Sequence, residues 1–315
     1  MKRLIVALLT MITVLTGCSQ NKVDNNNQSN AIQDTIKVPE KSNVTNEQMS
    51  KDISNSIKKD FEVKETESNL KALEIVAETE KVISLIDKNK DKEAREEMAK
   101  LIGDLEILMT KDPNVVLVPL GSEYAVNDVV IDVKTAKQII KDARKAMKKG
   151  YYQVAKELLD GLTSEYNIIT TYLPVGTYPA AMKLASAKLD DKKSKEAKDI
   201  LLQALNTLVI KEENIPMPVL KAEEFISLAA VAMAGTEKNK KDVANVLLDN
   251  ADYQLKLAEV MGYGKKDKEF KELAKAIKSL KKAVNKDQET KTMFEDLSKK
   301  IKNFKERLFF KKNKK

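Results

Sequence analysis

Apolar residues recur three and four positions apart along most of this chain, and that spacing commits it to helices. Ala136, Ile139, Ile140, Ala143, Ala146 and Met147 share one stripe, as do Ala197, Ile200, Leu201, Ala204, Leu205 and Leu208. The longest runs through Ala244, Leu247, Leu248, Ala251, Leu255, Ala258 and Met261. Each stripe covers one face only, so each helix needs a neighbour to bury it. A unit recurs within the pattern: a helix, a short polar turn, then Ala followed three and four residues later by apolar side chains. Ala155 leads to Leu158 and Leu159, Ala197 to Ile200 and Leu201, and Ala244 to Leu247 and Leu248, with a weaker copy at Ala94 and Met98. A small residue at that point lets two helices approach closely beside the turn. The copies are unevenly spaced, which predicts separate antiparallel hairpins rather than a uniform solenoid.

Proline-bearing segments separate the hairpins: Pro113 to Gly121, Tyr172-Leu173-Pro174-Val175-Gly176, and Ile215-Pro216-Met217-Pro218. Proline drives its predecessor toward extended backbone, so these are crossings between helices. The β-branched runs Val115–Val118 and Val129–Ile131 allow one short strand pair within 115–131. The fold class predicted is all-α, built from antiparallel helical hairpins with extended crossings. A further pair of seams follows: Phe270, Leu273, Ile277, Leu280 and Val284, then Phe294, Leu297, Ile301, Phe304 and Leu308. They read as a C-terminal helical hairpin whose stripes bury on each other, or alternatively offer a seam to a partner protein.

The N-terminus has a different logic. Lys2 and Arg3 precede an apolar run, Leu4 to Val14, that ends at Leu15-Thr16-Gly17-Cys18. The run is far shorter than the ~20 residues that span a bilayer. A short export segment closing on small residues and Cys is similar to a bacterial lipoprotein signal, with Cys18 as the lipidated first residue. Residues 1–17 are then a cleaved signal. Residues 18–64 form an anchored tether, because Ser19 to about Ser50 is rich in Asn, Gln and Ser and has almost no apolar clustering. Roughly 45 flexible residues reach about 35–40 Å. Ser19 stands where an inner-membrane retention aspartate would be, so the periplasmic side of the outer membrane is the expected location in a diderm cell. A helical domain over 65–264 and the hairpin with a basic tail over 265–315 complete the organisation.

Composition removes much chemistry. Cys18 is the single cysteine, and there is no His and no Trp. Ser-His-Asp and Cys-His catalysis and His-based zinc sites are therefore closed to this chain, and no catalytic residue, metal or cofactor is assigned. Removing Lys2 and Arg3 from 56 basic residues leaves 54 against 48 acidic, a net of +6. Only Arg3, Arg95, Arg144 and Arg307 are arginines. Base and phosphate recognition favours the forked guanidinium, so nucleic acid is not an expected partner. Asp87 to Asp91 imitates the opening of a calcium loop, but Lys92 and Met98 occupy the positions of its glycine and closing glutamate. Ser56-x-x-Lys59 and Ser279-x-x-Lys282 match a nucleophile pattern that lysine abundance produces by chance. Gly262 and Gly264 after a long stripe suit a helix stop.

The tyrosines stand out. Tyr151, Tyr152, Tyr166, Tyr172 and Tyr178 crowd into one stretch with Pro174. Together they could line a groove for apolar ligands or unfolded segments; the commoner use is as core residues with hydroxyls at the surface. The basic end, Lys311, Lys312, Lys314 and Lys315 after Phe309-Phe310, complements a helix C-terminus or touches anionic lipid.

The order of these features from about residue 70 to 262 resembles the YfdX family of bacterial envelope proteins. The resemblance is carried by Ala146-Met147-Lys148-Lys149-Gly150 with Ala155 and Leu158-Leu159, by Thr171-Tyr172-Leu173-Pro174-Val175, by Lys195-Glu196-Ala197, and by Pro216-Met217-Pro218. It implies an all-helical periplasmic domain that tends to homo-oligomerise, is linked to acid and drug stress, and is credited with chaperone-like binding. The family has no agreed catalytic motif. The expectation is therefore a membrane-anchored, non-catalytic protein that binds client polypeptides or small amphipathic molecules. The alternative is a structural adaptor docking one envelope partner.

Overall fold

The computed structural model describes residues 46–309 apart from 62, 64, 65 and 112; the segment read as an export signal, Cys18 and residues 310–315 lie outside the described residues. Four of the expected hairpins form: α2 (Glu67–Asp87) with α3 (Asp91–Lys111), α4 (Val133–Lys148) with α5 (Tyr152–Asp160), α6 (Tyr178–Asp190) with α7 (Ser194–Leu205), and α8 (Met217–Ala234) with α9 (Lys240–Met261). Ala94, Ala155, Ala197 and Ala244, the small residues that mark the second helix of each, are all buried. A fifth pair follows, α10 (Lys268–Asn285) and α11 (Lys291–Phe309), after a short 3₁₀ turn at Tyr263–Lys266.

One turn closes four of the five hairpins. The N–H groups of Lys90, Tyr151, Lys193 and Gln288 donate to the carbonyls of Leu85, Ala146, Lys188 and Ala283, five residues back. The residue before each donor is left-handed: Asn89 at φ 56°, Gly150 at 78°, Lys192 at 59° and Asp287 at 58°. This is the six-to-one closure that satisfies orphan helix carbonyls. Only one of the four positions is glycine, so the shared turn is hidden from sequence. At the end of α9 the same left-handed step falls on Gly262, φ 99°, as its position after the stripe predicts.

The crossings hold more strand than the sequence suggests. β1 (Leu117–Asn127), β2 (Glu165–Pro174) and β3 (Val209–Pro216) form one antiparallel sheet in that order. β1 pairs with β2, Leu117 against Pro174 through Asn127 against Glu165, and not with Val129–Ile131. The strand pair expected within 115–131 is thus replaced by three crossings brought side by side. Strand side chains alternate faces, and β2 uses both. Tyr166 and Ile168 enter a core built with α8 to α11, whereas Leu173 and Val175 enter a second core built from α2, α3, α6 and α7.

Helix α1 (Asn46–Phe61) falls inside the segment read as tether. Met49, Ile53 and Ile57, spaced by four, are buried against the first core, where α1 packs on α8. Three apolar residues among twelve polar or charged positions and one aromatic give too thin a stripe to stand out, and tertiary packing supplies what propensity does not. Polar contacts fix the docking. Ser50 Oγ donates to Asp128 at 3.0 Å, and Lys221, almost wholly buried on α8, pairs with the same carboxylate at 2.8 Å. The C-terminal pair also departs from the expected self-contained hairpin. Its seams close mainly on the body, α10 on α9 and α11 on α8, with Phe270 and Phe304 in edge contact at 4.8 Å between them. Both stripes are thereby covered within one core.

Ser164, buried just before β2, joins four segments. Its carbonyl accepts from the Met217 N–H at 2.9 Å and from Tyr263 Oη at 3.2 Å. Its N–H donates to Tyr263 Oη at 2.9 Å, and its Oγ accepts from the Val129 N–H at 3.1 Å. The exit from β1, the start of β2, the start of α8 and the end of α9 are pinned at one residue.

Two outcomes are expected. Lys192 is exposed and left-handed, a geometry that costs side chains about 1–2 kcal/mol. Lys192→Gly should stabilise the fold by about 0.5–1 kcal/mol after its greater chain entropy is counted, read by chemical denaturation. Glu224 is half-buried, and desolvation, then Asp52 and Glu223, push its carboxyl above its ordinary value. The folded state holds that proton more tightly than the unfolded state, so the charged form costs stability as pH rises through the raised pKa. Glu224→Gln should therefore melt higher at pH 7, and its advantage should vanish below about pH 4, the ordinary range of the group.

Candidate functional site

The alternation of β2 decides where its aromatics go. Tyr166, Ile168, Thr170 and Tyr172 share one face with Val209, Lys211, Glu213 and Ile215 of β3 and with Pro119 and Ser122 of β1. At the Tyr166 end this face is closed by α1: Tyr166 is fully buried, with Oη 3.3 Å from Ser54 Oγ. At the Tyr172 end the same face opens into a cavity of about 480 Å³, bordered by Asp60 and Phe61 at the end of α1, by Val63, and by Thr66 and Asn69 at the start of α2.

Tyr172 is the centre of that cavity's chemistry. Lys211 Nζ lies 4.9 Å from its ring centroid, a cation held on the π face. Burial, then the Glu213 carboxylate, holds the Tyr172 phenol above its ordinary value, against a hydrogen bond with Thr170. Burial likewise raises the Glu213 carboxyl, partly offset by Lys211. Ser122 and Thr170 hydroxyls meet at 2.8 Å on the floor. The site thus offers an aromatic surface at Tyr172 and the apolar side chains Phe61, Val63 and Pro119, set among seven polar or charged residues of both signs. Its volume falls in the usual range of small-molecule sites, about 300–1,000 Å³, although its lining is more polar than theirs.

The six residues expected to line one groove are distributed more widely. Tyr172 alone borders the cavity. Tyr178 sits at the start of α6, buried in the second core, donating to Thr79 Oγ1 at 2.9 Å; Thr79 in turn donates to the Ile75 carbonyl at 2.8 Å. Burial pushes the Tyr178 phenol up to about 12. Pro174 is buried at the end of β2, while Tyr151 and Tyr152 stand exposed beside Gly150 at the α4–α5 turn. Proximity in sequence did not carry over because β2 and the helix turns send neighbours into different cores. Lys211 and Glu213 were missed altogether. Their signal is the alternation Val209, Lys211, Glu213, Ile215, which marks a strand once the charged residues are allowed to face inward. A larger groove, about 720 Å³, runs between α4 and the end of α9 and is lined chiefly by cations. Among the described residues no helix is long and apolar enough to cross a membrane.

The matched family model is that of the YfdX protein, over residues 75–214. The match covers 140 of the 315 residues, under half of the chain. The solved structure of YfdX from Salmonella Typhi aligns with 47% of this chain and 91% of its own, at 14% identity and a TM-score of 0.31. No curated protein matches the chain. The family is not a known enzyme family. The match runs from within α2 into β3 and so takes in the sheet, the second core and the α4–α5 hairpin. It ends well before residue 262, where the resemblance in sequence was drawn, and leaves α1 and α8 to α11 outside it.

Proposed function

We propose that this chain is an exported lipoprotein, anchored through Cys18, that acts by non-catalytic binding of small amphipathic molecules. The observation that carries the binding half of this reading is the cavity at Tyr172, where an aromatic face with a seated cation meets apolar walls at the mouth of the sheet. Unfolded client segments are the larger version of the same ligand, an apolar side chain flanked by polar backbone. The anchoring half rests on the Leu15-Thr16-Gly17-Cys18 sequence. Both C-terminal seams pack against the body, so the adaptor alternative draws less support from that surface.

Binding of the neutral aromatic probe N-phenyl-1-naphthylamine, followed by its fluorescence, tests the cavity. Tyr172→Ala should weaken binding about tenfold, the effect of losing an aromatic contact worth about 1–1.5 kcal/mol, whereas Tyr152→Ala at the exposed turn should leave it unchanged. Equal loss in both variants, or none in either, rejects the pocket. The anchor is tested separately by fractionation. Cys18→Ala should move the protein from a salt-resistant membrane fraction to the soluble or misprocessed pool, and retention of the variant in high salt rejects the lipoprotein reading.

A further inference from the structure

Helix α5 packs chiefly against α4, and most of its apolar surface has no cover. Tyr151, Tyr152, Val154, Ala155, Leu158 and Leu159 occupy a broad arc of that helix and its first turn, yet Ala155 alone is buried. Tyr152 is 71% exposed and Tyr151 60%. Across the Gly150 turn, Met147 at the end of α4 is also exposed. Single exposed apolar residues are ordinary, but a contiguous cluster at one tip marks a contact surface.

The neighbouring face of α4 identifies the contact. Lys137, Lys141, Arg144 and Lys148 follow one another at spacings of four, three and four, so they form a single exposed stripe that runs toward the same tip. Among the described residues, Lys137, Arg144 and Lys148 enter no salt bridge; Lys145 beside them pairs with Asp142, and Glu259 is the one acid on the opposite wall. Stripe and wall enclose the 720 Å³ groove, whose floor carries the apolar Ile140 and Val260.

We infer that the α4–α5 hairpin docks on an anionic lipid bilayer. The stripe lies against lipid phosphates, and Met147, Tyr151 and Tyr152 enter the headgroup region. Tyrosine suits that depth because its ring is apolar and its hydroxyl stays wet. A second copy of the chain fits less well, because a two-fold contact at this tip would bring two basic stripes together. The inference rests on neither Cys18 nor the Tyr172 cavity, and the contact by itself fixes the orientation of the domain on the lipid surface.

Protein lacking residues 1–18 retains every described element and carries no lipid, so it isolates this contact. It should co-sediment with vesicles of phosphatidylglycerol and phosphatidylcholine, less so as salt rises, and should not bind vesicles of phosphatidylcholine alone. Lys141→Gln with Arg144→Gln should weaken binding about 25-fold, roughly fivefold for each charge removed near an anionic surface. Tyr151→Ser with Tyr152→Ser, at exposed positions that leave the melting temperature unchanged, should weaken it as well. Unchanged binding in either double variant, equal binding to neutral vesicles, or no binding at low salt overturns the inference. So does full displacement by millimolar glycerol phosphate, which would make the groove a site for a free phosphate. A dimer in sedimentation velocity that the tyrosine variant dissociates, without vesicle binding, would assign the tip to a second copy.

Discussion

Strand β2 belongs to two cores at once, and the rest of the molecule is arranged by that division. A strand presents successive side chains to opposite faces, so one ten-residue segment can be apolar toward α8 at Tyr166 and Ile168 and apolar toward α6 at Leu173. Neither core could form against β2 alone. Each needs the register that the other imposes, since a slip of one residue would exchange the two sets of side chains. Ser164 secures that register at the start of the strand, with its N–H, carbonyl and hydroxyl all engaged by other segments. The bulge between Pro119 and Gly121 absorbs the mismatch at the opposite end of β1.

The cavity follows from the same division. The face of β2 that carries Tyr166 is covered by α1 only as far as Phe61, and the next helix starts with Thr66 as its cap, whose Oγ1 accepts from the Asn69 N–H. Between those two helix ends, among the described residues, Val63 borders the sheet, and Thr170, Tyr172 and Lys211 lie at the mouth. The cost of half-burying Lys211 is reduced by the Tyr172 ring beneath it, and Glu213 shares the site with raised affinity for its proton. Pocket and packing are thus two ends of one alternating pattern, not separate designs.

How far this was readable from sequence depended on the length of each pattern. Four hairpins were legible because Ala94, Ala155, Ala197 and Ala244 stand at the same place relative to polar turns, and an amphipathic stripe of a dozen residues is a strong signal. Helix α1 was not, because Met49, Ile53 and Ile57 acquire meaning only against α8. The sheet was underestimated because its strands are distant in sequence: the antiparallel partner of Tyr124 is Ile168, not a residue in the next few positions. Tyr172 could be picked out as an aromatic beside a proline-bearing crossing. Nothing local distinguished it from Tyr166, which is six residues away on the same face and lies under a helix that sequence had assigned to a tether.

The family match makes this dependence sharper. Residues 75–214 contain the second core apart from Ala72, and all three strands with β3 truncated at its end, whereas the helices that cover the Tyr166 face come from outside the match. The matched segment therefore carries an apolar strand face that this chain closes with its own α1 and α8 to α11. Covering it with one chain's helices rather than with another protein uses the same physics, burial of Tyr166, Ile168 and Ile215 at roughly 25 cal/mol per Å² of apolar surface. It also explains why the C-terminal seams are not free. Phe270 to Val284 and Phe294 to Phe304 complete the cover over α8 and α9, and α8 in turn holds α1 through Lys221 and Asp128. An element that reads in isolation as an appended hairpin is, in the folded chain, the outer layer of the core that β2 begins.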